Sequence, residues 1–407
     1  MEYKTGQRTF GEMMPTLLLA VAMLLGSFVL PKAMKVYQKR RKKKREELRQ
    51  TKYSEYLKEK ENEINVIMNQ QAQILRENYI TLQECANISL SNKRKIWERE
   101  ITDDDFLTVR LGTGTRDAEL EIEAPQKHFT LDEDNLMNMV FDVVNKSKEL
   151  HNVPITISYI QNKVSALVTE CSFEEDFING VILQLITYHS SNDLKIVFLT
   201  NKRNEKKWEY IKNLPHNWNG DKTLRYFATN LEEMKNIMSS LEKEFNDRKE
   251  TQNDRNSTDE NGESLVSENV YKNFAPYYLV ITDDFKTAKQ LEFINLLLGI
   301  KENYGFSLLL LEKSMQNLPN VCNTFTYVMD SSSCIFEKEL SSSKQLNFKA
   351  EFNPTIDMKV IGKEIANIPI AAHGGLAVLP NSISFLEMYN VGKIEQLNIL
   401  AETLLKE

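Results

Sequence analysis

VSALVTECSFEEDFINGVILQL, residues 164–185, decides the fold class of this 407-residue chain. Its first residues form a short apolar run typical of a buried strand, and the apolar residues after Phe173 recur at helical spacing. The predicted strands are Phe106–Leu111, Ile155–Ile160, Val164–Thr169, Lys195–Thr200, Tyr226–Ala228, Tyr277–Thr282 and Ser307–Leu311, and the predicted helices are Asp132–Leu150, Phe173–Tyr188, Arg203–Ile211, Leu231–Arg248 and Lys286–Leu298. This alternation predicts an α/β fold with a mostly parallel, doubly wound sheet.

The loop between the first strand and helix of this stretch lies where a phosphate-binding loop would be. Such a loop needs glycines, so that backbone N–H groups can approach the phosphates, followed by Lys and Ser or Thr. The loop here carries Thr169, Glu170, Cys171, Ser172, Glu174, Glu175 and Asp176 instead. Because its carboxylates would repel a triphosphate, we expect no nucleotide there. Ser172 and Glu175 have the spacing of a capping box, which predicts that the helix caps itself.

A second candidate site is YYLVITDD, residues 277–284, an apolar strand that ends in Asp283 and Asp284. This is the form of a Walker B element, whose Asp holds magnesium, but a turn with capping acids has the same pattern. The five histidines and four cysteines are dispersed, with no CxxC, so no metal site is predicted. We expect no catalytic residue and no cofactor in this chain.

The N-terminal region has the pattern of a membrane anchor. Residues 13–31 carry no charge, and residues 32–45 carry nine Lys or Arg and no acid. The positive-inside rule then predicts a transmembrane helix over 13–31, an extracytoplasmic segment over 1–12, and a cytoplasmic location for the rest. A buried soluble helix, a cleaved signal peptide and nucleic-acid binding by the basic block are the alternatives. Residues 46–90 lack Gly and Pro and carry a narrow apolar stripe, which predicts a helical, coiled-coil-like stalk.

Several motifs carry a resemblance to a known family. They are WERE (97–100), DDDFLTVRLGTG (103–114), NVPITISYI (152–160), YHSSNDLKIVFLTN (188–201), WEYIKNLPHNW (208–218) and SFLEMYNVGKIEQLNI (384–399). In combination they resemble the N-terminal portion of the membrane-anchored FtsK/SpoIIIE-type ATPases of type VII secretion, the EssC/EccC family. The resemblance implies a P-loop-NTPase-like domain whose nucleotide site is degenerate.

The resemblance also implies an organisation for the chain. It predicts a basic juxtamembrane segment and stalk over 32–92, a degenerate ATPase-like domain over 93–400 with a flexible insertion at 249–269, and a tail over 401–407. In the family, forkhead-associated domains and a paired transmembrane hairpin usually precede the stalk, and ATPase domains that bind ATP and Mg follow. We therefore expect this chain to be a split-gene product, a truncated variant or an excised piece.

The function that follows is an anchoring and regulatory module that couples membrane components to active ATPase domains. The implied partners are other type VII secretion membrane components, downstream ATPase domains on the same or another chain, further copies of this chain and, indirectly, secreted WXG-type helical-hairpin proteins. A membrane-bound NTPase with a non-standard nucleotide site and an FtsK/SpoIIIE-like DNA translocase subunit are the rivals. Outside residues 32–45 acidic residues exceed basic ones, which argues against nucleic acid as a partner.

The segment between stalk and domain is the predicted coupling surface. Its residues are Trp97, Arg99, Asp105, Phe106, Arg110, Gly112 and Gly114. The two arginines are expected to pair with Asp103–Asp105, and the two glycines are expected to form a turn. The alternative is that this segment only packs the stalk against the sheet.

Overall fold

The structure, a computed structural model, describes residues 10–24, 26–27, 30–91, 93–124, 135–146, 149–257, 270–330, 332–340, 345–352 and 355–369. The chain divides into two compact units. The first comprises residues 1–78 and 115–153, and the second comprises residues 79–114 and 154–407. The predicted domain boundaries follow the family resemblance rather than this division, and they stay predictions.

The first unit is built mainly from helices. They are α1 (Phe10–Leu24), α2 (Leu30–Asn78) and α4 (Asn135–Lys146). The 49-residue α2 covers both the basic block and most of the predicted stalk. Near its C-terminal end Ala72 is buried and packs with Leu150 and Val153. Part of the apolar stripe of the predicted stalk therefore packs against residues of this same chain.

The residues of the predicted membrane span, 13–31, fall in two separate helices of the structure. The first, α1, ends at Leu24 and α2 begins at Leu30, while residues 25, 28 and 29 lie outside the described part of the chain. Within the described ranges, the structure contains no helix with both the length and the apolar character needed to cross a membrane. The span over residues 13–31 stays a prediction.

The second unit contains most of a ten-stranded sheet. The strands are β1 (Thr108–Asp117), β2 (Glu149–Ser158), β3 (Val164–Glu170), β4 (Leu194–Leu199), β5 (Phe227–Ala228), β6 (Tyr277–Thr282), β7 (Phe306–Glu312), β8 (Thr324–Met329), β9 (Ser333–Glu337) and β10 (Leu346–Ala350). The remaining helices are α3 (Leu82–Leu90), α5 (Glu174–Tyr188), α6 (Leu231–Ser257), α7 (Phe285–Ala288), α8 (Glu292–Gly299) and α9 (Met358–Ala366). The α/β fold class predicted from the sequence is confirmed.

The strand order is β2-β1-β10-β9-β8-β3-β7-β6-β4-β5. The block from β8 to β5 is parallel throughout. The pairs β8–β9, β9–β10 and β10–β1 are antiparallel. The sequence did not predict β8, β9 and β10. These strands are short and only partly buried, so they lack the continuous apolar runs that marked the central strands.

Two apolar layers cover the parallel block. Along β4, Ile196 and Phe198 pack in one cluster with α3, α5 and α9, whereas Val197 and Leu199 pack in a second cluster with α6 and α8. This division follows from the two-residue alternation of side chains along a strand. Strands buried on both faces need apolar residues at consecutive positions, which is why they were visible in the sequence.

Three helix predictions were wrong in detail. The helix predicted over 132–150 extends too far, because Glu149 and Leu150 belong to β2. Residues 203–211 form turns followed by a short 3₁₀ helix at Glu209–Asn213, because the Asn201 side chain accepts hydrogen bonds from the backbone N–H groups of Arg203 and Asn204. Such side-chain bonds favour a turn over a helix. The predicted helix over 286–298 is divided into α7 and α8. The predicted insertion at 249–269 begins inside α6, and residues 258–269 lie outside the described ranges.

Two buried histidines, His189 and His216, make hydrogen bonds inside the second unit, and His189 holds the residue that precedes β1. The backbone N–H of Leu107 donates to His189 Nε2 at 3.1 Å, so this nitrogen carries no proton, and His189 Nδ1 donates to the Leu185 carbonyl at 2.9 Å. His216 Nε2 donates to the His189 carbonyl at 2.8 Å. Burial lowers the pKa of His189 to about 3 and the pKa of His216 to about 4.

These shifts predict acid sensitivity. Unfolded histidines take up protons below pH ~6.5, while the buried pair stays neutral, so their contribution to stability is complete above that pH and is lost as pH falls toward 4. We expect the free energy of unfolding to fall by about 2 kcal/mol between pH 7 and pH 5.5. Urea unfolding at several pH values measures this. His189→Gln, which can keep both hydrogen bonds, should reduce the slope by about half. Exposed His151→Gln is the control and should leave the slope unchanged, and an equal slope in all three proteins would contradict the assignment.

Candidate functional site

The loop at the phosphate-binding position is held by the protein's own side chains. It joins β3, which ends at Glu170, to α5, which begins at Glu174. The predicted capping box is wrong, because Phe173 is the N-cap of α5 and makes no side-chain cap. Ser172 instead donates from its backbone N–H and its hydroxyl to the carboxylate of Asp330, at 2.8 and 3.1 Å. Asp330 follows β8, which runs beside β3, and sequence spacing gave no sign of this contact.

The acidic residues of the loop have partners of opposite charge or hydrogen-bond donors. Glu174 forms ion pairs with Lys207 at 3.2 Å and with Lys313 at 3.4 Å. The Glu170 carboxylate accepts a hydrogen bond from the Tyr327 hydroxyl at 2.8 Å. The Glu174 carboxylate, in the first turn of α5, is therefore ion-paired with two lysines.

The other residues of the loop have structural surroundings. Thr169 is buried, and burial raises the pKa of the half-buried Cys171, which disfavours the reactive thiolate. Glu175 and Asp176 lie in the first turn of α5, where negative charge complements the helix dipole.

The two acids after β6 have structural partners. Asp283 Oδ2 accepts hydrogen bonds from Asn204 Nδ2 and Trp208 Nε1, both at 2.8 Å. Asp284 is the N-cap of α7 and accepts from the backbone N–H and the hydroxyl of Thr287. Asp284 is therefore a capping acid in a turn, the alternative to a Walker B element given above. Asp283 anchors the loop that follows β4. Within the described ranges, no group of three or more His, Cys, Asp or Glu residues is arranged to hold a metal ion.

The predicted coupling segment forms a buried polar network around Arg99. The guanidinium of Arg99 pairs with Asp105 at 2.9 Å, donates to the Thr108 carbonyl at 2.8 Å, and stacks 3.9 Å from the centre of the Tyr188 ring. The expected pairing of Arg99 with the aspartate run is confirmed. Trp97 donates from its indole N–H to the Ile186 carbonyl near the end of α5, at 3.1 Å.

Arg110 has different partners from those expected. Its Nε lies 2.9 Å from Glu351 Oε2, and its Nη1 donates to the Tyr79 carbonyl at 2.8 Å. Gln184 of α5 bonds both the N–H and the carbonyl of Arg110, each at 2.8 Å. The expectation that Arg110 pairs with Asp103–Asp105 is wrong, because Arg110 lies inside β1 and Glu351 immediately follows the neighbouring strand β10.

Phe106 and the two glycines have packing roles in the structure. Phe106 is buried and contacts His189 edge to face, with ring centroids 4.7 Å apart. Gly112 and Gly114 do not form the predicted turn. They lie inside β1 opposite Ala350 and Phe348, and a Cβ on Gly114 would come within 2.6 Å of the Asn347 carbonyl oxygen. Their lack of a side chain allows this close approach of backbones.

Three residues of the network were missed by sequence reasoning. Tyr79, Gln184 and Glu351 come from distant parts of the chain, and each is an ordinary polar residue in its local context. One signal was available nearby. Thr81 and Glu84 form the capping box that starts α3, with Thr81 N donating to Glu84 at 2.8 Å. Its spacing could have predicted the break after α2.

Comparison with known proteins gives the family context. No family model matches the chain. The ESX secretion system protein YukB of Bacillus subtilis is 22% identical over 393 residues, which cover 96% of this chain and 25% of YukB. The type VII secretion system protein EssC of Staphylococcus aureus is 24% identical over 369 residues, which cover 89% of this chain and 24% of EssC. The chain is a homologue of EssC and YukB. The resemblance predicted from the sequence is confirmed.

The chain spans about a quarter of the length of these curated relatives. Solved structures also match it. The cytoplasmic domain of the type VII secretion ATPase EccC from Thermomonospora curvata has a TM-score of 0.44 at 13% identity and covers 71% of this chain and 35% of its own. ATPases 2 and 3 of EssC from Geobacillus thermodenitrificans have a TM-score of 0.40 at 9% identity and cover 67% of this chain and 50% of their own.

The ion-paired loop predicts that the chain does not bind ATP at this position. Calorimetric titration of the full chain with Mg·ATP should show no micromolar site, because Glu174 already neutralises Lys207 and Lys313 and adds a negative charge where phosphates would lie. A micromolar site that is lost in Asp283→Asn would contradict this, and it would favour the rival NTPase function.

Proposed function

We propose that this chain is a membrane-anchoring and regulatory module of a type VII protein secretion motor. In this proposal it does not hydrolyse ATP itself. It couples membrane components to active ATPase domains, which lie on the same or another chain. Its homology to EssC and YukB, which are named as secretion-system proteins, supports a role in type VII secretion. The acidic, ion-paired loop after β3 supports a P-loop-NTPase-like domain whose nucleotide site is degenerate.

The observation that carries the coupling role is the attachment of Tyr79. This residue directly follows α2, the long helix of the predicted stalk. Arg110 donates to the Tyr79 carbonyl from β1, and the Arg99 guanidinium lies 5.1 Å from the centre of the Tyr79 ring. Because both arginines are buried and ion-paired, Tyr79 is held beside β1 by groups that resist displacement.

The proposed location is the cell membrane, with residues 13–31 as the anchor and the bulk of the chain in the cytoplasm. The asymmetry of the charges supports this orientation, since nine cations follow the uncharged stretch directly. The basic block is also suited to anionic headgroups at the inner surface. The proposed partners are other membrane components of the system, downstream ATPase domains, further copies of this chain and, indirectly, secreted WXG-type proteins.

Arg110→Lys tests coupling against simple packing. Lysine keeps a positive charge beside Glu351, but a single ammonium cannot reproduce the forked contact with both Glu351 and the Tyr79 carbonyl. We expect the variant to stay folded and membrane-bound while secretion falls several-fold. The measurements are the melting temperature, the amount in the membrane fraction and the secreted protein in the culture medium.

The controls separate the two interpretations. Arg110→Ala leaves Glu351 unpaired and should lower the free energy of unfolding by about 3 kcal/mol. Arg116→Ala, on the same strand, removes only a surface ion pair with Glu119 and should change stability by less than about 0.5 kcal/mol. If secretion in the Arg110→Lys strain falls only in proportion to protein level and melting temperature, the segment merely packs. If secretion is normal, the coupling role is wrong.

A further inference from the structure

A polar pocket of about 460 Å³ lies at the carboxyl ends of β4, β5 and β6. It is lined by residues that directly follow these strands, among them Thr200 and Arg203 after β4, Thr229 after β5 and Thr287 after β6. Residues 169–176, the degenerate phosphate-binding position, do not contribute to its lining. The pocket is therefore a different site from the one that the family resemblance points to.

The strand order explains why a cavity forms there. The chain leaves β4 toward β5 at the edge of the sheet, whereas it leaves β6 toward β7 in the middle of the sheet. The two connections depart in opposite directions from neighbouring parallel strands. In open α/β sheets such a switch point leaves a crevice outside the carboxyl ends of the strands, where ligands commonly bind.

Most of the polar groups around the pocket already have partners. Asp284 accepts hydrogen bonds from Thr287, and Glu233 accepts from the N–H and the hydroxyl of Thr229. Lys202 pairs with Glu205 at 3.2 Å. These hydrogen bonds supply donors to the Asp284 and Glu233 carboxylates, and neither carboxylate uses the Thr200 hydroxyl or the Arg203 guanidinium.

Thr200 and Arg203 are two side-chain donors of the pocket that have no partner in the described part of the chain. Thr200 is fully buried and its hydroxyl has no hydrogen-bond partner. Leaving a buried polar group unpaired is costly, so an unsatisfied hydroxyl at a pocket points to a missing acceptor. Arg203 lines the same pocket and is exposed, and the planar fork of a guanidinium matches the oxygens of phosphate or carboxylate.

We propose that this pocket binds a small oxyanion, the phosphate or carboxylate group of a small molecule, through Thr200 and Arg203. The loop that presents both residues is held in place before any ligand arrives. Asn204 and Trp208 bind the Asp283 carboxylate, so the loop is anchored immediately beyond Arg203. A site that is ordered in advance loses less entropy on binding. Asp283 has the position of a Walker B acid, but in this proposal it anchors the loop that carries Thr200 and Arg203.

The test uses the full chain and two probes, inorganic phosphate and acetate, followed by NMR titration. Saturable binding of either probe is expected, and the probe that binds identifies the phosphate or the carboxylate as the ligand group. Arg203→Ala and Thr200→Val should each weaken this binding about tenfold. Thr200→Val should not lower the melting temperature, because it removes a buried hydroxyl that has no partner. Loss of binding in this variant would therefore not reflect unfolding.

Lys206→Ala is the matched control. Lys206 is an exposed cation in the same loop that does not line the pocket, so its loss should change the affinity less than about twofold. The proposal is overturned if neither probe binds, if Lys206→Ala weakens binding as much as Arg203→Ala, or if Thr200→Val binds as well as the unaltered chain. In the last case the unpaired hydroxyl would be only a packing defect.

Discussion

The buried guanidinium of Arg110 is the constraint on which the start of the second unit depends. A buried charge is tolerated only when it is paired and its hydrogen bonds are made. The Arg110 guanidinium is ion-paired with the Glu351 carboxylate and donates to the Tyr79 carbonyl, while the Gln184 side chain bonds the backbone N–H and carbonyl of Arg110. Arg110 can therefore be buried only when four parts of the chain assemble together. They are the residue after α2, the strand β1, the helix α5 and the end of β10.

The same requirement for charge pairing applies to the loop between β3 and α5, at the position of a phosphate-binding loop. An intact site would bring phosphates to balance the positive helix end and nearby lysines. In this chain Glu174 balances Lys207 and Lys313, and Asp330 satisfies the polar groups of Ser172. The loop that joins the strand β3 to the helix α5 is therefore held by contacts within the protein.

The acids after β6 show how one residue pattern can serve two purposes. An apolar strand followed by two aspartates is typical of a magnesium site, yet here Asp283 binds an amide and an indole, and Asp284 caps a short helix. The loop anchored in this way shapes a pocket at the next strands along the sheet. EssC and YukB are named as secretion-system proteins, and the function proposed for this chain rests on its homology to them.

The sequence by itself determined the α/β class, the positions of the central strands, the absence of a glycine-rich loop and the family resemblance. These features are local, since a strand buried on both faces must be apolar along its whole length, and a phosphate loop must be continuous in the chain. Only the tertiary structure decided the partners of Arg110, the place of Gly112 and Gly114 inside β1, the antiparallel strands and the pocket beside Thr200. Each depends on which distant segments become neighbours, and a polar residue looks the same in the sequence whether its partner is solvent or a buried charge.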